Sequence, residues 1–198
     1  NREKPSSLLR AVGHAVSSPI ELVGFLSPDE CRRVISEAVV GDCSTGALVD
    51  GKMQLATRRA NTYWLDEAAA ASWSFDRMFQ AVVDCNRQHF GFEIEEFAEC
   101  MQVSHYTAKH NGFFDWHIDI GNRRLAVRRK LTAVVQLSDT SAYDGGCLEA
   151  NSNGSIKSAS KQIGTIFILP SFVLHRVSPV LQGERFSLTL WSHGPAFR

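Results

Sequence analysis

The segment FFDWHID, residues 113–119, places His117 and Asp119 one residue apart at the end of a run of aromatic side chains. In most proteins a histidine beside an aspartate is only a weak ion pair. A further metal-binding side chain, His175, follows in the segment LPSFVLHRVSPV. Two histidines and one carboxylate hold non-haem Fe(II) on one face of an octahedron and leave other positions open. The same groups can bind zinc tetrahedrally, so both metals are candidates.

An arginine in the segment GERFSLTLW helps to distinguish an iron site from a zinc site. Alternation along a strand puts every second residue of the segment on one face, and that face contains Arg185, Ser187, Thr189 and Trp191. An inward-facing guanidinium needs an anion, because burying it unpaired is costly, and a carboxylate gives it two charge-assisted hydrogen bonds. The segment therefore predicts a dicarboxylate ligand. A zinc-binding or sensing module has no need for this arginine.

Short strands must carry these residues. After Gly91 the sequence consists of β-branched or aromatic segments separated by Gly, Pro, Asn, Asp and Ser, which is typical of strands joined by turns. Because residues i and i+2 of a strand point the same way, His117 and Asp119 can share a metal while Trp116 and Ile118 face away. Tyr143, with Gly145 and Gly146, is interpreted as a turn between strands. The strand pattern predicts a jelly roll.

Two helices are predicted in the first half of the chain. Ser27 is a candidate N-cap, followed by Pro28 at the first helical position and Glu30 at the capping-box position. A second, longer helix is predicted from Glu67 to Phe90, where apolar residues recur at helical spacing before a glycine.

The predicted fold class is mainly β with supporting helices (α+β). Residues 96–198 are expected to form a double-stranded β-helix (jelly-roll) core, with the N-terminal helices packed on one face. Residues 1–95 are expected to be mostly helical support and a substrate-side segment, so that residues 1–198 form a single domain.

Five ordered segments of the second half resemble a known family. They are Y-x5-GFFDWHID from Tyr106, RKLTAVVQLSD from Arg129, YDGGCLEA from Tyr143, GTIFILPSFVLHRVSPV from Gly164, and GERFSLTLWSHGPAFR at the end. H-x-D alone is common by chance, but the ordered set is similar to the Fe(II)/2-oxoglutarate-dependent dioxygenases. Within that family it resembles the prolyl 4-hydroxylase-like group of bacterial oxygenases.

The resemblance implies roles for individual residues. It assigns the iron ligands to His117, Asp119 and His175. It makes Arg185 the partner of the distal carboxylate of 2-oxoglutarate. Hydroxyl donors to the same cosubstrate would be Tyr106 and Ser187, with Thr132 and Thr189 as weaker candidates.

The resemblance also implies the reaction. Fe(II), the cosubstrate 2-oxoglutarate and O2 would serve to hydroxylate an unactivated C–H of an amino-acid side chain, with release of succinate and CO2. The side chain could be free or peptidyl, and proline-like. Family members that halogenate have a small residue in place of the carboxylate ligand, so Asp119 favours hydroxylation. Desaturation, cyclisation or demethylation of a small metabolite at the same iron centre is the alternative.

Substrate-side residues are predicted in TRRANTYWL, residues 57–65, because in similar enzymes such a segment lies over the barrel mouth. The candidates are Arg59, Asn61, Tyr63 and Trp64, together with Trp191. Ordinary edge-strand packing explains the segment equally well. The basic run NRRLAVRRK, residues 122–130, is interpreted as a solvated loop, with a rim that attracts an acidic substrate or a nucleic-acid backbone as the alternative.

The remaining histidines and the overall composition carry less information. His14, His89 and His193 are interpreted as ordinary surface or capping residues, and His105 as structural. The 21 basic and 21 acidic side chains give a formal net charge of zero, which disfavours nucleic-acid and membrane partners and favours a small-molecule or peptide substrate. The five scattered cysteines suit a reducing cytoplasm, and no apolar run reaches the length of a membrane span. The oligomeric state stays open.

Overall fold

The computed structural model describes residues 18–40, 43–45, 48–49, 52–53, 56–66, 72–122 and 125–197. The first residues of the predicted domain, His14 among them, lie outside the described residues. So do Arg123 and Arg124 of the basic run and the first five residues, 67–71, of the predicted second helix.

Helix α1 spans Pro28–Ala38 and begins as the sequence predicts. The Ser27 hydroxyl accepts from the backbone N–H of Glu30, whose carboxylate accepts from the backbone N–H of Ser27. Helix α2 spans Ser72–Cys85 and continues as a π-helical turn over Asn86–Phe90. Gly91 ends it with a left-handed φ of 69°, which glycine adopts without strain.

The described strands are numbered β1 to β15 in chain order. They are Ile20–Leu22, Cys43–Thr45, Leu48–Val49, Lys52–Met53, Arg58–Arg59, Asn61–Leu65, Met101–Thr107, Phe113–His117, Arg129–Gln136, Tyr143–Gly145, Leu148–Ser152, Ser155–Ser158, Ile166–Pro170, Leu174–Val177 and Val180–His193. Short 3₁₀ turns cover Ala108–His110, Ala126–Arg128 and Thr140–Ala142.

The strands form two main antiparallel sheets. The larger sheet has the order β1-β13-β9-β15-β7-β6-β2, with β10 paired to β15, and the smaller has the order β12-β11-β14-β8-β5. Strands β3 and β4 form a separate hairpin. Tyr143, predicted to lie in a turn, instead begins strand β10 and is buried, because its ring joins the apolar cluster between the sheets.

The larger sheet buries apolar residues on both faces. One face packs against both helices, through residues such as Val34 of α1, Met78 of α2 and Leu188 of β15. The opposite face packs against the smaller sheet, through residues such as Phe167 and Leu148. The prediction of a mainly β fold with helices on one face is therefore confirmed. Burial on both sides holds the inner face of the larger sheet rigidly over the smaller one.

Candidate metal centre

His117, Asp119 and His175 meet between the two sheets. His117 is the last residue of β8, and its Cα pairs with that of His175 on β14. Asp119 follows the end of β8, where its backbone N–H donates to the carbonyl of Ser171 at 2.8 Å. Ligand atoms of the three side chains lie within 4.8 Å of one another. Oδ1 of Asp119 is 3.6 Å from Nε2 of His117, and Oδ2 is 3.5 Å from Nε2 of His175.

Backbone carbonyls orient both imidazoles. Nδ1 of His117 lies 2.7 Å from the carbonyl oxygen of Asp115, and Nδ1 of His175 lies 2.9 Å from that of Val173. A carbonyl only accepts, so each Nδ1 carries the proton and each Nε2 keeps a free lone pair towards the other ligands. Phe114 stacks on the ring of His117 with centroids 3.5 Å apart, which further restrains it.

One oxygen of Asp119 is held by donors. Oδ2 accepts from Thr132 Oγ1 at 2.8 Å and from the indole N–H of Trp191 at 2.9 Å. Ser171 Oγ lies 3.0 Å from Thr132 Oγ1 and extends this chain. Thr132 and Trp191 therefore orient the carboxylate, a role that the sequence did not indicate for either. The other oxygen, Oδ1, faces His117.

The charges of the three groups are coupled. Burial, together with the charge of His175, lowers the pKa of His117 to about 4. Burial alone raises the pKa of Asp119, but His175, His117 and Arg129 outweigh it and hold that pKa well below its usual value. Burial opposes protonation of His175, yet the nearby Asp119 raises its pKa. The aspartate is thus ionised and His117 neutral at neutral pH, as metal binding requires.

Arg185 lies fully buried in the same region, on β15 beside Tyr106 of β7. Its Nη2 donates to Gln136 Oε1 at 2.8 Å and its Nη1 to Ser187 Oγ at 3.3 Å, and its Nε has no partner within the described ranges. Among the described residues, no carboxylate forms an ion pair with Arg185. Gly146 makes room for it, because a Cβ there would lie 3.0 Å from Cδ of Arg185.

An open cavity is lined by the three metal-binding side chains; Arg185 does not line it, but its neighbours Tyr106 and Ser187 do. Of the residues predicted to bind cosubstrate, Tyr106, Ser187, Thr132 and Thr189 line it. Further lining residues are Arg58, Gln102, Ser104, Phe114, Val134, Leu148, Val177 and Trp191, with the three metal-binding side chains.

The predicted substrate residues do not all lie on the same side of the larger sheet. Trp64 does not line the cavity, but its ring centroid lies 6.5 Å from that of Trp191, which does. Arg59, Asn61 and Tyr63 do not line the cavity. Tyr63 packs instead against the helix-side core, because on β6 the even-numbered residues face the smaller sheet. Arg58 does line the cavity, and only the register of β5 against β8 distinguishes it from its neighbour Arg59.

Two other interpretations require correction. His193, expected at the surface, is fully buried, and its Nε2 lies 2.8 Å from Glu99 Oε2. The described part of the basic run is not a free loop. Arg128 forms ion pairs with Glu95 and Glu96, and Arg129 binds Glu99 through two nitrogens. The positive charges at these positions are neutralised within the protein.

The family model for the 2OG-Fe(II) oxygenase superfamily matches residues 101–193. This range contains the three metal-binding residues, Arg185 and the strands that position them. Residues 101–193 are thus similar to the 2OG-Fe(II) oxygenase superfamily. The resemblance to the prolyl 4-hydroxylase-like group of 2-oxoglutarate oxygenases is confirmed.

Curated relatives of this oxygenase segment include a PKHD-type hydroxylase of Shewanella oneidensis, 37% identical over 81 residues, which are 39% of this chain and 36% of the relative. A PKHD-type hydroxylase of Teredinibacter turnerae is 30% identical over 87 residues, which are 42% of this chain and 38% of the relative. The alignments thus span less than half of either relative.

Solved oxygenase structures match most of the chain. A Pseudomonas putida prolyl-4-hydroxylase superposes with a TM-score of 0.72 and 22% identity, covering 92% of this chain and 95% of its own. A Trichoplax adhaerens prolyl hydroxylase in complex with a hypoxia inducible factor peptide fragment gives 0.75 and 18%, covering 91% and 87%. These matches confirm the jelly-roll fold. None of the described helices has the length and apolarity needed to cross a membrane.

Proposed function

We propose that the protein is an Fe(II)- and 2-oxoglutarate-dependent oxygenase that hydroxylates a C–H of an amino-acid side chain, free or within a peptide. A proline-like ring is among the candidate substrates. One observation carries the proposal. A single cavity is lined by a cluster of two imidazoles and a carboxylate and by Tyr106 and Ser187, which adjoin the buried Arg185, an arginine without an acidic partner in the described residues.

The donor set suits Fe(II). His117 and His175 would each supply Nε2, and Asp119 would supply Oδ1, because its other oxygen already accepts two hydrogen bonds. Hydrogen bonds from ligand side chains to backbone or neighbouring donors are typical of metal sites, where they fix the ligand orientation. The three groups lie at one side of an open cavity, which fits a metal that keeps further positions for exchangeable ligands.

The arginine suits the cosubstrate. The unpartnered Nε of Arg185 and its two neutral contacts leave a buried positive charge that a carboxylate would neutralise. Ser187 and Tyr106 line the cavity beside it and would donate hydroxyl protons to the same carboxylate. Gln136 fixes the guanidinium, and the hydroxyl of Tyr143 in turn contacts Gln136. When bound, Fe(II) with 2-oxoglutarate and O2 supplies the oxidising chemistry, with succinate and CO2 as products.

Apolar side chains line part of the cavity that contains the metal-binding cluster. They include Val134, Leu148 and Val177, and they restrict water near the reacting groups. Trp191 lines the cavity and Trp64 packs beside it, so both are candidates for contact with a substrate.

Two alternatives are less well supported. A zinc-binding or sensing module explains the cluster but gives no role to the buried Arg185. Desaturation, cyclisation or demethylation at the same centre uses the same residues, and only the product distinguishes it from hydroxylation. Asp119 fills the position that a halogenase leaves open for chloride, which favours hydroxylation.

The proposal is tested by substrate-free turnover. Purified protein with Fe(II), 2-oxoglutarate and O2 should release succinate slowly, and His175→Ala should not. Screening amino acids and peptides for faster succinate release would then find the substrate, and product mass would identify the oxidation. Succinate release that does not depend on Fe(II), or that His175→Ala retains in full, would contradict the proposal.

A further inference from the structure

A second buried arginine, Arg58, lines the same cavity. It is 7% exposed, lies on β5 and pairs with Phe114 of β8. Its guanidinium lies over the Phe114 ring, 4.7 Å from the centroid, and that ring stacks on His117. One aromatic ring therefore separates this positive charge from a proposed metal ligand.

The hydrogen-bond partners of Arg58 in the described part of the chain are neutral. Its Nη2 donates to Gln102 Oε1 and Ser104 Oγ, each at 2.7 Å, and its buried Nε has no partner among the described residues. Among the described residues, no carboxylate forms an ion pair with it. Arg129 and Arg176, which are also partly buried, each pair with a glutamate. Since burying an unpaired charge is unfavourable, a guanidinium that lines a cavity in this state is suited to an anionic ligand.

Arg58 and Arg185 lie at different positions along β7. Arg185 pairs with Tyr106 on this strand, whereas Arg58 bonds to Ser104 and Gln102, which precede Tyr106 by two and four residues. At a rise of about 3.3 Å per residue, these positions lie roughly 7 and 13 Å from Tyr106. A dicarboxylate whose distal carboxylate binds Arg185 thus leaves Arg58, which lies near His117, available to bind another anion.

We propose that Arg58 binds a carboxylate of the substrate that the enzyme oxidises. The substrate is then a free amino acid or a similar small carboxylic acid. This inference rests on the proposed function. The backbone of a residue inside a peptide would offer Arg58 only an amide carbonyl, which carries no charge to neutralise it. The other source of a carboxylate in this cavity is 2-oxoglutarate itself, through the group next to its keto carbon, and the experiment must separate the two.

The first arm measures binding to the wild-type protein. The Fe(II) protein with 2-oxoglutarate, kept without oxygen, is titrated with the common L-amino acids and with their α-carboxamides, and the visible spectrum and the melting temperature are followed. We expect at least one acid to bind about tenfold to a hundredfold more tightly than its amide, the range for one charge-assisted interaction. If no acid binds more tightly than its amide, the inference is overturned.

The second arm uses variants. Arg58→Met keeps apolar contact with Phe114 and should abolish the preference for acid over amide, while Arg58→Lys should keep the preference at lower affinity. Arg176→Met, the matched control, should change neither. The 2-oxoglutarate concentration for half-saturation should stay within about threefold of wild type in Arg58→Met. A tenfold rise would assign Arg58 to 2-oxoglutarate and overturn the inference, as would an acid preference that survives in Arg58→Met.

These outcomes separate the inference from the proposed function. A wild-type protein that shows no spectral change with Fe(II) and 2-oxoglutarate contradicts the proposed function. A normal spectral change without acid preference contradicts only the role of Arg58.

Discussion

The indole N–H of Trp191 donates a 2.9 Å hydrogen bond to Oδ2 of Asp119. Trp191 belongs to the strand that carries Arg185, and Asp119 follows the strand that carries His117. The bond therefore connects the larger sheet, which would bind cosubstrate, to the metal-binding cluster of the smaller sheet.

Trp191→Phe should weaken metal binding while preserving the fold. The substitution keeps most of the buried ring area but removes one of the two donors to Asp119. Loss of such an outer hydrogen bond typically costs tenfold to a hundredfold in metal affinity. Anaerobic Fe(II) titration measures the effect. Trp116→Phe is the control, since Trp116 packs on Arg176 outside the cavity and should leave metal affinity unchanged.

Arg185→Ala should raise the 2-oxoglutarate requirement about tenfold to a hundredfold with nearly unchanged metal affinity, because a charge-assisted hydrogen bond contributes roughly 1.5 to 3 kcal/mol. Succinate release at varied 2-oxoglutarate concentration measures it. Arg87→Ala, on the exposed face of the π-helical turn, is the control. An unchanged 2-oxoglutarate requirement in Arg185→Ala would show that Arg185 does not bind the cosubstrate.

Glu99 should contribute pH-dependent stability. Burial raises its pKa, but hydrogen bonds from His193 and Arg129 outweigh this and lower the pKa from 4.5 to about 2. A carboxylate with a lowered folded-state pKa stabilises the protein above its unfolded pKa, and the stabilisation is lost as the pH falls. Glu99→Gln should therefore reduce the free energy of unfolding by up to about 3 kcal/mol at neutral pH, and its difference from wild type should shrink between about pH 4.5 and 2.

Chemical denaturation at several pH values measures this difference. Glu95→Gln removes an exposed ion pair with Arg128 and should cost less than about 1 kcal/mol. A deficit of Glu99→Gln that is the same at pH 7 and pH 2.5 would show that the ionised carboxylate is not what stabilises the cluster.

Asp119→Gly should abolish hydroxylation without producing halogenation. It removes the one carboxylate of the proposed ligand set, so Fe(II) affinity should fall. Chloride could fill the vacancy, but halogen transfer also needs a substrate placed closer to the halide, so we expect little chlorinated product. Succinate release with and without chloride, and product mass, measure the outcome. Turnover at the wild-type rate by this variant would show that Asp119 is not a metal ligand and forms only an ordinary ion pair with His117.

The sequence predicted the parts of this architecture that follow local rules. The Ser27 capping box, the glycine at the end of the second helix and the alternation along β15 depend on residues close in the chain. His117, Asp119 and His175 could be grouped because their residue types suit one metal and the order of motifs resembles one family.

The rest depends on contacts between distant segments. Arg58 and Arg59 are adjacent and chemically identical, and only the pairing of β5 with β8 places Arg58 in the cavity. His193 has no local partner pattern, yet Glu99 meets it through tertiary packing. Likewise, Thr132 and Trp191 hold Asp119 because three strands converge there. No period or spacing in the sequence encodes these registers.

The most direct test of the central claim is anaerobic spectroscopy of the wild-type protein and His175→Ala. Addition of Fe(II) and then 2-oxoglutarate to wild type should produce the weak visible charge-transfer band of a metal-chelated keto acid. His175→Ala should lose both metal affinity and the band. A His175→Ala protein that keeps full Fe(II) affinity and the band would show that His117, Asp119 and His175 are not the metal site.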